Sequence, residues 1–115
     1  MRKETSSNTV NKLQLEASCG MAYFASVIGG RWKLSILGFL LDNKALRFSA
    51  LMKKLPGISE KVLVTKLKEL ETDGIVIRTA YPEVPPRVEY QLSDKGSSLR
   101  EILISMSHWG EQNKA

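Results

Sequence analysis

Gly57-Ile58-Ser59-Glu60-Lys61-Val62-Leu63-Val64-Thr65-Lys66-Leu67-Lys68-Glu69-Leu70-Glu71-Thr72-Asp73-Gly74 is the stretch whose reading decides the fold. Both ends of a helix are marked in it. Ser59 suits the amino-terminal cap, Glu60 is an acid at the first helical position, and Gly74 suits the left-handed residue after the last turn. At 100° per residue Leu63, Leu67 and Leu70 share one narrow stripe, while Lys61, Val64, Thr65, Lys68 and Thr72 gather on the opposite face. The charge order runs against the helix dipole: Lys61, Lys66 and Lys68 come before Glu69, Glu71 and Asp73. Two readings stand, a solvated face with chance charge order and a face shaped for an anionic partner.

Upstream, Phe48, Leu51, Met52 and Leu55 suggest a one-to-two-turn helix capped by Ser49 and stopped by Pro56-Gly57. Two short helices joined by a tight glycine-containing turn, the second with a polar outer face, make a helix-turn-helix, whose second helix enters the major groove of DNA. Downstream the period changes to strand-like over 75–81 and again over 88–92, with Pro82-Glu83-Val84-Pro85-Pro86-Arg87 between. This is a hairpin with a tip stiffened by three prolines, and a helix-turn-helix followed by a hairpin is a winged helix. Arg87 at the tip suits phosphate or minor-groove contact; pairing with Glu83 or Glu89 is the structural alternative.

Further out lie the terminal helices. Met21, Phe24, Ala25 and Ile28 repeat at helical spacing before Gly29-Gly30. A second helix over 31–41 turns Trp32, Ile36, Leu37, Leu40 and Leu41 to one side, with Gly38 inside it expected to let another helix approach closely. From Ser93-Asp94 a last helix carries Leu99, Ile102, Leu103, Met106 and Trp109 on one stripe, to be covered by a second subunit, by the first helix, or by both. The expected class is α+β, mainly helical: a winged helix-turn-helix with one two-stranded wing and terminal dimerisation helices. Residues 1–18 read as a polar extension and 19–112 as the domain.

Composition agrees. The 115 residues, 43% hydrophobic, suit one core. Net charge is +5, yet residues 30–68 alone carry nine bases against Asp42 and Glu60, an excess of +7 suited to nucleic acid. The polar first 18 residues and the lack of any apolar run of about 18 residues point to a cytoplasmic protein with no membrane partner. One cysteine, Cys19, and one histidine, His108, leave no zinc cluster and no intrachain disulfide, while an intersubunit disulfide stays open. No phosphate loop, nucleophile set or metal cluster supports an enzyme, and no cofactor is implied. Tyr23, Phe24 and Trp32 read as core aromatics before they read as a small-molecule pocket.

On these residues the chain resembles the HxlR-type family of bacterial winged-helix transcription regulators, relatives of the MarR group. The resemblance covers roughly residues 19 to 110. It is carried by Cys19, Ile28-Gly29-Gly30-Arg31-Trp32, Arg47-Phe48-Ser49, Leu55-Pro56-Gly57-Ile58-Ser59, Leu67-Lys68-Glu69-Leu70-Glu71, Asp73-Gly74, 81–90 and Trp109-Gly110. It implies a homodimeric repressor, held by its terminal helices, that binds operator DNA through a recognition helix at 59–73 and a wing at 82–87. Met21, Phe24, Leu99, Ile102, Leu103, Met106 and Trp109 would then form the dimer interface. Gly20 departs from the family's proline after the cysteine, and Val64-Thr65-Lys66 departs from its more polar recognition face.

The expected mechanism places Lys61, Val64, Thr65 and Lys68 in the major groove, with Ser59 at the helix start, and Arg47, Ser49, Lys53 and Arg87 on phosphates. Val64 can meet a thymine methyl. Two-fold symmetry predicts a pseudo-palindromic operator. Cys19 reads from its neighbours as a small buried hydrophobe, whereas the resemblance implies a thiol sensor of oxidants or electrophiles; both readings stay open, as does a small-molecule effector. The rival class is a winged helix that docks its basic face on an acidic protein partner.

Overall fold

A computed structural model of the chain describes residues 19–42 and 44–115. The expected polar extension at 1–18 lies outside them. The backbone divides into two compact units between Arg31 and Trp32.

The first unit contributes α1, Gly20–Ile28. Cys19 caps it: the Ala22 amide donates to the cysteine Sγ at 3.3 Å. Val27 and Ile28 are buried, while Met21 is 80% exposed.

The second unit runs from Trp32 through most of α2 (Arg31–Asp42), β1 (Leu46–Arg47), α3 (Phe48–Lys54), α4 (Glu60–Thr72), β2 (Val76–Tyr81), β3 (Arg87–Leu92), α5 (Asp94–Ser97) and α6 (Arg100–Asn113). Its core gathers Ile36, Leu37 and Leu40 of α2, Leu51 of α3, Leu63, Leu67 and Leu70 of α4, and Val76 of β2, all nearly inaccessible to water. The leucine stripe of α4 is therefore what seats that helix, through apolar burial rather than helix propensity.

The marked helix ends where its sequence says. Ser59 Oγ accepts from the Val62 amide at 3.1 Å, one orphan donor of the first turn satisfied. At the other end Ile75 N reaches Leu70 O at 2.9 Å and Gly74 N reaches Glu71 O at 3.0 Å, with Gly74 at φ +77°, a Schellman closure. A second layer of bonds then pins this end: Ser93 Oγ donates to Gly74 O at 2.6 Å, and Lys95 Nζ donates to Asp73 O at 3.0 Å. Gly96 packs so closely that a Cβ there would strike the Ile75 carbonyl oxygen.

The expected hairpin wing is formed by β2 and β3, one expectation is extended and two are corrected. The sheet has three strands in the order β1-β3-β2, all antiparallel, because Leu46 and Arg47 pair with Tyr90 and Glu89 at the base of the wing. Two residues are too few for a period to show. Ser49 does not cap α3: the strand runs straight into the helix, so Arg47 holds the cap position without a side-chain bond and Ser49 lies in the first turn. The last helix is two helices, Ser93 capping the single turn of α5 through the Gly96 amide at 3.0 Å before α6 starts at Arg100.

Candidate nucleic-acid interface

On α4, Lys61, Val64, Thr65 and Lys68 are all exposed, at the i, i+3, i+4, i+7 spacing that puts them on one face. Thr65 Oγ1 donates to Lys61 O at 2.9 Å, so its hydrogen is committed to the helix and the side chain has only acceptor lone pairs and a methyl group left to offer a partner. With Val64 half-exposed, the centre of the face is apolar and flanked by two ammonium groups. Such a face can meet thymine methyls and neutralise phosphate together. Ser59 spends only its lone pair on the cap, which leaves its hydroxyl hydrogen for a donor bond.

Arg47, Ser49 and Lys53 are exposed, Ser49 and Lys53 one turn apart on α3. Lys54 instead lies over the Phe39 ring, 5.4 Å from its centroid.

The inverted charge order of α4 has a structural component that sequence reasoning missed. Lys33 of α2 is buried, its side chain 9% exposed, and its Nζ lies 3.0 Å from Glu69 Oε1; Lys66 Nζ reaches the same oxygen at 3.6 Å. Burial raises the Glu69 pKa, but the hydrogen bonds and charges of Lys33 and Lys66 outweigh it and hold the carboxyl below its usual range. Glu69 sits late in the helix because a buried ammonium needs it there, so its position alone is no sign of an anionic partner. Lys33 also leaves the surface excess counted over 30–68. A lysine between Trp32 and Leu34 in a mostly apolar helix was the available signal, since a buried cation requires an acid.

At the wing, the structural alternative for Arg87 is formed. Nη2 and Nε donate to Glu83 at 2.8 and 3.3 Å, Nη1 donates to Glu89 Oε2 at 2.6 Å, and the guanidinium lies 3.9 Å from the centroid of the Tyr81 ring. Both carboxylates hold its pKa up; the Glu83 hydrogen bonds contribute most. The tip beyond this clamp presents Val84 fully to solvent.

Of the residues expected at a dimer interface, Ile102, Met106 and Trp109 are exposed apolar groups on α6, and Met21 is one on α1. Phe24 and Leu99 are half-buried. Leu103 is 8% exposed within the single chain, so it belongs to the core rather than to an outer face; its neighbour Ile104, which the helical stripe omits, is half-exposed. Leu34, Gly38, Phe39, Leu103 and Met106 border a groove of about 820 Å³ between α2 and α6. Nothing among the described residues comes within 4 Å of a Cβ built on Gly38, so the close helix approach expected there is not made within them. Cys19 is exposed, which corrects its reading as a buried hydrophobe: the helix begins one residue later and leaves the thiol at the cap. Among the described residues no group of His, Cys, Asp and Glu could hold a metal ion, and no single helix is long and apolar enough to cross a membrane.

A domain of this kind, with a capped recognition helix and a wing, defines a winged-helix regulator. The HxlR-like helix-turn-helix family model matches residues 27–115, and the chain belongs to that family of DNA-binding transcriptional regulators, which are not enzymes. An uncharacterized HTH-type transcriptional regulator of Halalkalibacterium halodurans, BH0655, is 45% identical over 92 residues, 80% of this chain and 81% of the relative. Among solved structures, the redox regulator HypR in its oxidized form superposes with a TM-score of 0.80 at 39% identity, covering 84% of this chain and 99% of that one. Diamide-treated YodB from B. subtilis does so with a TM-score of 0.68 at 36% identity, over 84% of this chain and 96% of that one.

Proposed function

We propose that this chain is a cytoplasmic, homodimeric repressor, with residues 19–112 as its regulator domain, that reads a pseudo-palindromic operator through Lys61, Val64, Thr65 and Lys68. The observation that carries the reading is the exposed face of α4, whose two ends are fixed by Ser59 and Gly74 so that the helix can be presented rigidly. Ser59, Arg47, Ser49 and Lys53 hold phosphates, and the exposed Ile102, Met106 and Trp109 of α6, with Met21 and Phe24 of α1, meet the second copy. Arg87 serves the wing by holding it in shape, its donors turned to Glu83 and Glu89.

The test is a gel shift against the promoter beside its own gene at rising salt. Operator DNA is expected to bind more tightly than scrambled DNA, with affinity falling steeply as salt rises, and Lys68→Ala is expected to weaken binding. A protein that binds both DNAs alike, or is indifferent to salt, would instead fit the docking of an acidic protein partner.

A second reading concerns Cys19. Its exposed thiol, with HypR and YodB among the structural relatives, supports regulation by oxidants. Diamide treatment is expected to change operator affinity in the parent and not in Cys19→Ser; equal responses would exclude the thiol as the sensor.

A further inference from the structure

Lys33 and Glu69 join two elements whose roles differ: α2 belongs to the core, and α4 carries the face read as DNA-contacting. The leucines at 63, 67 and 70 seat α4 by apolar contact, which is strong but non-directional. Such a stripe resists withdrawal of the helix far better than rotation about its own axis. With side chains reaching about 5–6 Å from the axis, a slip of about 20° carries Lys61 and Lys68 roughly 2 Å sideways. Hydrogen bonds to base edges do not survive such a displacement. At 100° per residue Glu69 falls on the flank between the leucine stripe and the exposed face, where a fixed contact opposes rotation most directly. There its carboxylate meets the buried Lys33 Nζ at 3.0 Å, while Lys66 of α4 itself closes on the same oxygen at 3.6 Å. A charge-assisted hydrogen bond is short and directional, and here its donor is a buried ammonium on the core helix.

We propose that the Lys33–Glu69 ion pair sets the rotation of the recognition helix and thereby determines operator discrimination, Lys33 acting as a positioning residue that never touches DNA. The inference rests on the reading of α4 as the helix in the major groove. Since Lys33 is buried, it neutralises no phosphate; it governs choice between sequences and leaves the bulk electrostatic attraction unchanged.

The test compares the parent dimer with Lys33→Met, which keeps the length of the chain and removes the buried charge, and with Glu69→Gln, which keeps the shape and removes the carboxylate. Each is titrated with operator and with scrambled duplex at several salt concentrations, and the fold is checked by thermal denaturation. For both variants the ratio of operator to scrambled affinity is expected to fall about tenfold, with affinity for scrambled DNA and the salt slope as in the parent. An unchanged ratio in Glu69→Gln overturns the proposal, and this variant decides alone if Lys33→Met fails to fold. A salt slope lowered in Lys33→Met overturns it too, because the lysine would then be a phosphate contact. If the parent itself does not prefer operator to scrambled DNA, the underlying reading of α4 falls and takes the inference with it; a parent that discriminates beside variants that do so equally refutes the inference alone.

Discussion

Salt distinguishes the DNA-contacting role proposed for Lys68 from the structural role of Arg87 in the wing. Arg47, Lys53, Lys61 and Lys68 are exposed, so the proposed dimer would bring eight cations to the duplex. At about 0.9 per neutralised phosphate, the slope of log K against log salt is expected near −7, and affinity falls by roughly 10⁴ between 50 and 200 mM. Lys68→Ala removes two of these contacts per dimer, bringing the slope to about −5. Arg87→Ala behaves differently. Its guanidinium is already matched by Glu83 and Glu89 and stacked on Tyr81, so it has little charge left to offer a phosphate. Its loss releases two acids at the wing and loosens the tip, lowering affinity while the slope stays near −7. Fluorescence anisotropy with operator DNA over that salt range measures both. If Arg87→Ala lowers the slope by about 2, as Lys68→Ala should, the guanidinium leaves its clamp to bind phosphate and the structural role assigned to it is wrong.

Leu63→Ala removes a fully buried side chain from the inner face of α4 and is expected to cost about 2–5 kcal/mol in urea denaturation. Gly96→Ala should destabilise the protein and shift the amide resonances of Gly74 and Ile75, because the new methyl meets the Ile75 carbonyl; unchanged spectra would contradict the packing of α5 on the end of α4. The Glu69 carboxyl is held below its ordinary pKa. Its contribution to stability is therefore complete above the unfolded value of about 4.3 and is lost as pH falls through the lower folded value, when Lys33 and Lys66 face a neutral acid. Glu69→Gln should flatten that acid limb of the stability curve, measured by thermal denaturation from about pH 5 down to pH 3.

Local chemistry in the sequence determined a good deal. Ser59, Gly74 and the leucine period delimit α4 to the residue, because caps and amphipathic spacing act within one helix. The proline-rich tip between two strand-like runs announced the wing, and the block pattern announced the family. The exposed face at 61, 64, 65 and 68 follows from the same helical geometry. What the tertiary structure alone decided are pairings between residues far apart in the chain. Leu46–Arg47 becomes a strand only because β3 offers an open edge. Leu103 leaves the outer stripe for the core because burial depends on neighbours that helical spacing cannot name. Arg87 had an acid four residues before it, another two residues after it and a phosphate to choose among, and the hairpin register that sets Tyr81 opposite it completes the clamp with both acids. Above all, the acids at the end of α4 read in sequence as a broken dipole rule. In three dimensions one of them, Glu69, answers a lysine 36 positions earlier, because a buried ammonium must find its counter-charge wherever the fold places one.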